Sequence, residues 1–207
     1  KHFPGHGDTD VDSHKSLPII KHSRYRLIQT ELAPFRKLIN EGLGSIMVGH
    51  LHVPSLDPTP DLPATLSPKI INNLLKKEMG FSGLVITDAL NMKGVSNFAS
   101  DGEVDLQALI AGNDILLMSK DVPKAVSLIK NAIKKNIITQ SDIDEICRKI
   151  LTAKYWMGLH NYKPVNLDSI VSKITDNSTK MLNKRLIGSS LTLLQNYHNL
   201  LPLKQLD

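Results

Sequence analysis

Three short runs in this chain are apolar on both faces, and they limit the fold more than any other feature. Gly83-Leu84-Val85-Ile86-Thr87-Asp88 stays apolar until its last residue, Gly44-Ser45-Ile46-Met47-Val48-Gly49-His50 behaves likewise, and Ile115 to Met118 forms a third. A strand buried on both faces belongs to a parallel sheet covered by helices. Amphipathic stretches separate the runs as such a sheet requires. Ser23 caps one with Tyr25, Leu27, Ile28 and Leu32 at helical spacing, and Pro34 breaks it or opens a second with Phe35, Leu38 and Ile39, closed by Gly42. A Pro-rich connection over 51–66 leads to a helix started by Ser67-Pro68, with Ile70, Ile71, Leu74, Leu75 and Met79 facing inward and Gly80 at its end. Further helices are expected over 103–111, from Asp121 through Val126, Ile129 and Ile133, and from Ser141, where Asp144 completes a capping-box pattern, to Gly158. Right-handed β-α units follow.

In a closed eight-stranded barrel of this kind the active site lies at the carboxyl ends of the strands. His50, Asp88 and the opening Lys1-His2 all fall at such ends. Three whole strands and one strand end amount to about half of such a barrel, so the reading is of a partial (β/α)8 TIM-type barrel, its last strands, in an α/β chain. Residues 1–159 form that half barrel. Residues 160–188 read as a linker with a connecting helix from about Asp176 to Ile187. Residues 189–207 hold an expected strand, Ser190 to Asn196, followed by Leu200-Leu201-Pro202-Leu203.

Composition removes several functions. The 207 residues are 41% hydrophobic, enough for one sizeable core. Net charge is +5, but the basic residues are interrupted by acids and aromatics are only 4%, so a nucleic-acid partner is not expected. No apolar run is long enough to span a membrane. Cys147 is alone, which removes a disulfide framework within the chain, and a thiol in a helical pattern reads as a core residue.

The opening fourteen residues, Lys1-His2-Phe3-Pro4-Gly5-His6-Gly7-Asp8-Thr9-Asp10-Val11-Asp12-Ser13-His14, have almost nothing to bury. Glycines and proline prevent a continuous helix or strand, so the segment is a polar loop, where chemistry is usually carried. Asp8, Asp10 and Asp12 imitate a calcium loop, but its sixth and twelfth places hold Ser13 and Ile19 instead of glycine and glutamate. His2, His6 and His14 fit neither a helical His pair nor a Cys/His zinc pattern. A solvated loop is the plain alternative. Asp88 likewise has two readings from spacing alone: a cap for the next segment, or a carboxylate at the sheet's mouth.

Lys-His-Phe-Pro-Gly-His-Gly, then Asp-Ser-His, then Leu17-Pro18, resembles the signature of family-3 glycoside hydrolases of the β-N-acetylhexosaminidase type. Thr87-Asp88-Ala89-Leu90-Asn91-Met92-Lys93-Gly94 is similar to the same family's Ser/Thr-Asp-x-Leu-x-Met-x-Gly element. The family's β-glucosidases tend to have Ser-Asp-Trp there and lack the Gly-His-Gly…Asp-Ser-His loop. The resemblance implies that Lys1 and His2 bind the sugar, that Asp12 and His14 form the acid/base dyad, and that Asp88 is the nucleophile. It implies retaining release of terminal β-linked N-acetylglucosamine from a glycan such as a peptidoglycan fragment, with no metal or organic cofactor. A related glycosidase or glycoside phosphorylase, or a non-catalytic carbohydrate-binding remnant, stands as the alternative. A strand followed by Leu-Pro-Leu resembles the entry into the second α/β domain of the family's larger members, which implies that 189–207 are the beginning of such a domain. A second domain of this type would favour a periplasmic, secreted or lipoprotein location over the cytoplasm.

The chemistry suits the residue types. Glycosidic bonds break through an oxocarbenium-like state that needs an attacking group and a proton for the leaving oxygen. Histidines ordinarily titrate near about 6.5, so an imidazole serves as acid and base without the burial that a carboxylic acid needs. An aspartate two residues away can fix its tautomer. Glycines at 5 and 7 are expected to let the loop close and open. His50 is expected either to touch ligand or to support the loop, Met92 either to line the pocket or to fill the core, and Trp156 to pack. His22 and His52 are expected to be solvated. The chain alone, with open sheet edges, is expected to be inactive.

Overall fold

The computed structural model describes residues 1–202. Two of the doubly apolar runs pair as parallel strands, β1 (Ser45–Val48) and β2 (Leu84–Thr87), in the register Ser45↔Leu84 to Val48↔Thr87. The opening stub adds a parallel position beside β1 through an isolated bridge between Phe3 and Val48: the Phe3 amide donates to Met47 O at 2.8 Å and the Gly49 amide to Phe3 O at 2.8 Å. Phe3 is fully buried, and its ring meets Phe35 edge-on at 5.2 Å.

The third expected strand is reduced to one bridge, Ile86 to Ile115. Thr87 N–H still donates to Ile115 O, but Leu117 N–H is taken by the Thr87 hydroxyl at 2.9 Å, and Met118 turns away at φ 54°. A side-chain oxygen has replaced the next ladder carbonyl, so the pairing stops there. The segment nevertheless runs parallel to β2 at the correct place. Asp114, just before it, is buried, accepts from Val85 N–H at 2.8 Å and pairs with Lys149 at 2.6 Å.

Helices cover this sheet much as the periodicity predicts. Arg24–Gln29 is capped by Ser23, whose side chain accepts from the Arg26 amide, and Ala33–Asn40 carries Pro34 in its first turn. Lys69–Glu78 buries Ile70, Ile71, Leu74 and Leu75 along one face, and is wound with π-type hydrogen bonds that end in Met79 N–H to Leu74 O. Side chains of that size contribute about 1.5–3 kcal/mol each when fully buried. They meet Leu51, Val53 and Val85 in the main core. A smaller core joins Leu66 and Leu90 to Val95, from Lys93–Ser96, and to Val104 and Ala108, from Glu103–Ala111. Asp121 caps Val122–Lys134 through Lys124 N–H.

The helix Gln140–Trp156 starts one residue earlier than expected, because Thr139 is the cap and Asp142 its reciprocal partner. Ser141 and Asp144 are not the box. None of this helix is buried, so Cys147 and Trp156 are exposed rather than packed. Among the described residues, no helix is long and apolar enough to cross a membrane.

The chain divides into two compact units, the first Lys1–Met157 and the second starting at Gly158. In the second, Asp176 caps Asn177–Ser190 by accepting from Thr179 N–H at 2.7 Å. The expected strand from Ser190 to Asn196 is not formed. Among the described residues this unit has no other strand to hydrogen-bond it, and Asn196 instead closes a local loop with Leu201 N–H and O. Leu203 lies outside the described residues.

Candidate active site

Asp88 leaves the carboxyl end of β2 while its own amide still donates to Val48 O at 2.9 Å. Its Oδ1 accepts the Ala89 N–H at 2.9 Å, and its Oδ2 faces His2 Nε2 at 3.5 Å. The Asp88 side chain is 16% exposed and that of His2 30%, so both remain partly open to solvent. The Lys1–His2 and Phe3–Pro4 peptide bonds are cis. Lys1 is exposed beside them.

From His2 a chain of polar contacts runs into the loop. The rings of His2 and His6 meet edge-on at 5.8 Å, and His6 Nε2 lies 3.1 Å from the hydroxyl of buried Ser13. Next to Ser13, His14 Nδ1 lies 2.8 Å from Asp12 Oδ1, which also accepts the His14 amide at 2.9 Å. A carboxylate accepts only, so Nδ1 carries the hydrogen and, in the neutral ring, Nε2 keeps the lone pair. The His14 side chain is 74% exposed. The backbone and side-chain hydrogen bonds of His14 hold the Asp12 carboxyl below its usual value. Asp12 and His14 are thus joined, as are Asp88 and His2. Among the described residues, no hydrogen bond connects one pair to the other.

What holds the two motifs together is Gly94. Its amide donates to Ser13 O at 3.2 Å, and a Cβ there would stand 2.9 Å from that oxygen and 3.3 Å from His50 Cβ. The loop's other foot is Gly5, at φ 133°, where a Cβ would stand 2.7 Å from Glu31 Cβ. Gly5 is therefore a close-approach point rather than the hinge that the sequence suggested, whereas Gly7 has open space around it. Gly94→Ala is expected to cost about 1–3 kcal/mol, the usual toll of forcing a methyl group into filled space. A lowered melting midpoint with faster amide exchange at Ser13 to Ser16 would register it.

His52 is not the solvated residue expected: it is buried, with Nδ1 facing Leu62 O. His22 remains partly exposed, its Nε2 2.6 Å from Asp8 Oδ2. Met92 is buried as core. Asp8, His22 and Glu31 bring ligand-type atoms within 4.8 Å of one another, but the Arg26 guanidinium bridges Asp8 and Glu31 and already supplies a positive charge there. Among the described residues, neither the alternate aspartates nor the three histidines His2, His6 and His14 gather as a ligand set. A groove lined by Lys76, Phe81, Asp114, Ile143 and Lys149 opens near the amino end of β2, opposite Asp88.

Sequence reasoning did not single out Ser13 or the approach at Gly94, since a serine or glycine in a polar stretch carries no outward mark of burial. His50 did carry one, its place at a strand's carboxyl end. Burial lowers the pKa of His50 and of His2 against the opposing pull of Asp88. Both rings thus favour the neutral form when folded. The stabilisation is complete above the ordinary value of 6.5 and is lost as pH falls through the lowered values. Melting midpoints should drop from pH 7 to pH 5, and His50→Gln should make that drop smaller.

A parallel sheet with a carboxylate and imidazoles at its carboxyl edge agrees with the TIM-barrel-like α/β fold of the family that the chain matches. The model of the glycosyl hydrolase family 3 N-terminal domain matches residues 1–153, and the chain belongs to that family. It is 34% identical over 173 residues to beta-hexosaminidase A of Pseudoalteromonas piscicida, covering 74% of this chain and 29% of that protein. A beta-N-acetylglucosaminidase/beta-glucosidase of Cellulomonas fimi is 25% identical over 211 residues, covering 98% and 37%. The solved family-3 beta-N-acetylglucosaminidase of Paenibacillus sp. superimposes with a TM-score of 0.78 at 38% identity, over 89% of this chain and 35% of that one. The chain spans about a third of the length of these relatives.

Proposed function

We propose that this chain supplies the catalytic groups of a retaining glycosidase that removes terminal β-linked N-acetylglucosamine. The observation that carries the reading is the placement of Asp88 beside His2 at the carboxyl end of the sheet, with the Asp12–His14 pair on a loop fastened to the Asp88 segment. In this reading residues 1–159 are the last part of a (β/α)8 barrel, 160–188 a linker with its helix, and 189–207 the start of a second domain.

Asp88 Oδ2 attacks the anomeric carbon while the glycosidic oxygen takes a proton from His14 Nε2–H, so one C–O bond forms as the other breaks. Asp12 accepts from Nδ1–H and stabilises the imidazolium before it gives up its proton. Neutral His14 then removes a proton from water, whose oxygen displaces Asp88 and restores the original anomeric configuration. His2 and Lys1 donate to sugar hydroxyls. The names of the relatives favour N-acetylglucosamine, and Asp88-Ala89 in place of Ser-Asp-Trp agrees. Peptidoglycan fragments are the proposed source of the sugar.

Incubating the full-length protein with 4-nitrophenyl N-acetyl-β-glucosaminide and following the first product by NMR tests this. The expected result is the β-anomer of free N-acetylglucosamine, at a rate indifferent to phosphate. Release of the α-anomer, a phosphate-dependent glycosyl phosphate, or a preference for the glucoside would overturn it.

A further inference from the structure

His50 is fully buried, yet none of the steps above uses it. Its Nε2 lies 3.0 Å from Ala89 O and its Nδ1 2.8 Å from Thr65 Oγ1. A carbonyl oxygen can only accept, so Nε2 must carry a hydrogen. Burial, with His2 adding to it, disfavours the charged ring more than Ala89 O and Asp88 together restore it. The ring is therefore the neutral Nε2–H tautomer, whose Nδ1 is an acceptor for the single hydrogen of the Thr65 hydroxyl. Gly49 O, 3.0 Å from the same hydroxyl at the end of the strand that receives the Asp88 amide, is the competing acceptor for that hydrogen.

The consequence reaches Asp88 through one residue. Ala89 receives His50 at its carbonyl and, through its amide, holds Asp88 Oδ1. Asp88 is thus fixed on the β1 side by its own amide and on the far side by the Ala89 amide, while His50 holds the next peptide plane, Ala89–Leu90, across the Ala89 Cα. We infer that His50 is a positioning residue, which locks the Ala89 backbone so that Oδ1 of Asp88 is occupied and Oδ2 is presented for attack. The inference rests on Asp88 being the nucleophile. It separates His50 from Lys1 and His2, which are proposed to touch sugar.

Two substitutions divide the possibilities. In His50→Gln the side-chain amide reaches the Nε2 position and still donates to Ala89 O; in His50→Asn it stops short. A 2-fluoro sugar that traps the glycosyl-enzyme reports the rate of attack in the full-length protein. His50→Asn is expected to slow labelling by about 100-fold, the cost of misplacing a reacting group by about 1 Å, with little change in KM. His50→Gln should recover most of that rate. In the unaltered protein at pH 7, 15N NMR should show a hydrogen on Nε2 of His50 and none on Nδ1. Equal labelling rates for Gln and Asn, a raised KM with unchanged kcat, or a different tautomer would each overturn the inference. Labelling of Asp88 at an unchanged rate in His50→Asn sinks the positioning role alone. Label found on another residue of the unaltered protein sinks the nucleophile assignment itself.

Discussion

Asp88→Ala in the full-length protein is expected to reduce turnover by about 10⁴-fold or more, as in other enzymes that lose a covalent nucleophile. The fold should survive. Asp88 contributes one side-chain hydrogen bond, to Ala89 N–H, and such a bond is worth about 1 kcal/mol net. Its amide bond to Val48 O is made by the backbone and remains in the variant. An unchanged melting transition beside lost activity would therefore separate chemistry from structure. Small external nucleophiles such as azide should partly restore turnover and give the inverted product, because they fill the space vacated by the carboxylate. Substantial activity without any added nucleophile would end the assignment.

The second large effect depends on the substrate. His14→Ala should slow glycosides with poor leaving groups by about 10²–10⁴-fold, the usual contribution of a general acid, yet barely affect bond cleavage in a dinitrophenyl glycoside. A leaving group that is already acidic does not need the proton. For such substrates the covalent intermediate should accumulate, since the attack of water still lacks its base. With its side chain 74% exposed, His14 can be removed at little cost in stability. Asp12→Asn keeps an acceptor oxygen but loses the charge that stabilises the imidazolium, so its losses should follow the same pattern and be smaller. Equal losses on both classes of substrate would assign His14 to binding instead.

Much of the framework was legible because its signals are local. Ser23, Asp121 and Asp176 cap helices through their own side chains, and the one-sided burial of Ile70, Ile71, Leu74 and Leu75 is a matter of spacing. The parallel pairing of β1 with β2 follows from two doubly apolar runs separated by a helix. Illegible features depend on residues far apart in sequence. The third strand fails because Thr87, thirty positions earlier, offers a hydroxyl to Leu117. The strand from Ser190 fails for want of a partner. Thr139 was passed over because a capping box looks alike when shifted by two residues. At the site, Asp88 and the Asp12–His14 pair were visible through motif, but the contacts of His50 with Thr65 and Ala89 span 15 and 39 positions and leave no trace in a linear reading.

The opening loop stands on two feet, half-buried Gly5 against Glu31 and buried Ser13 against Gly94. Between them, Asp8 touches the rest of the protein through His22 and Arg26, both near solvent. Exposed ion pairs of this kind hold with about 1 kcal/mol or less and weaken in salt. The arc between the feet can therefore bow outward at small cost while both of its ends stay fixed. His14 follows Ser13 directly and stands at the second of them. In the proposed mechanism, a bulky aglycone would push this arc outward without carrying His14 away from the bond to be broken, so admission of the substrate and delivery of the proton would be mechanically separate.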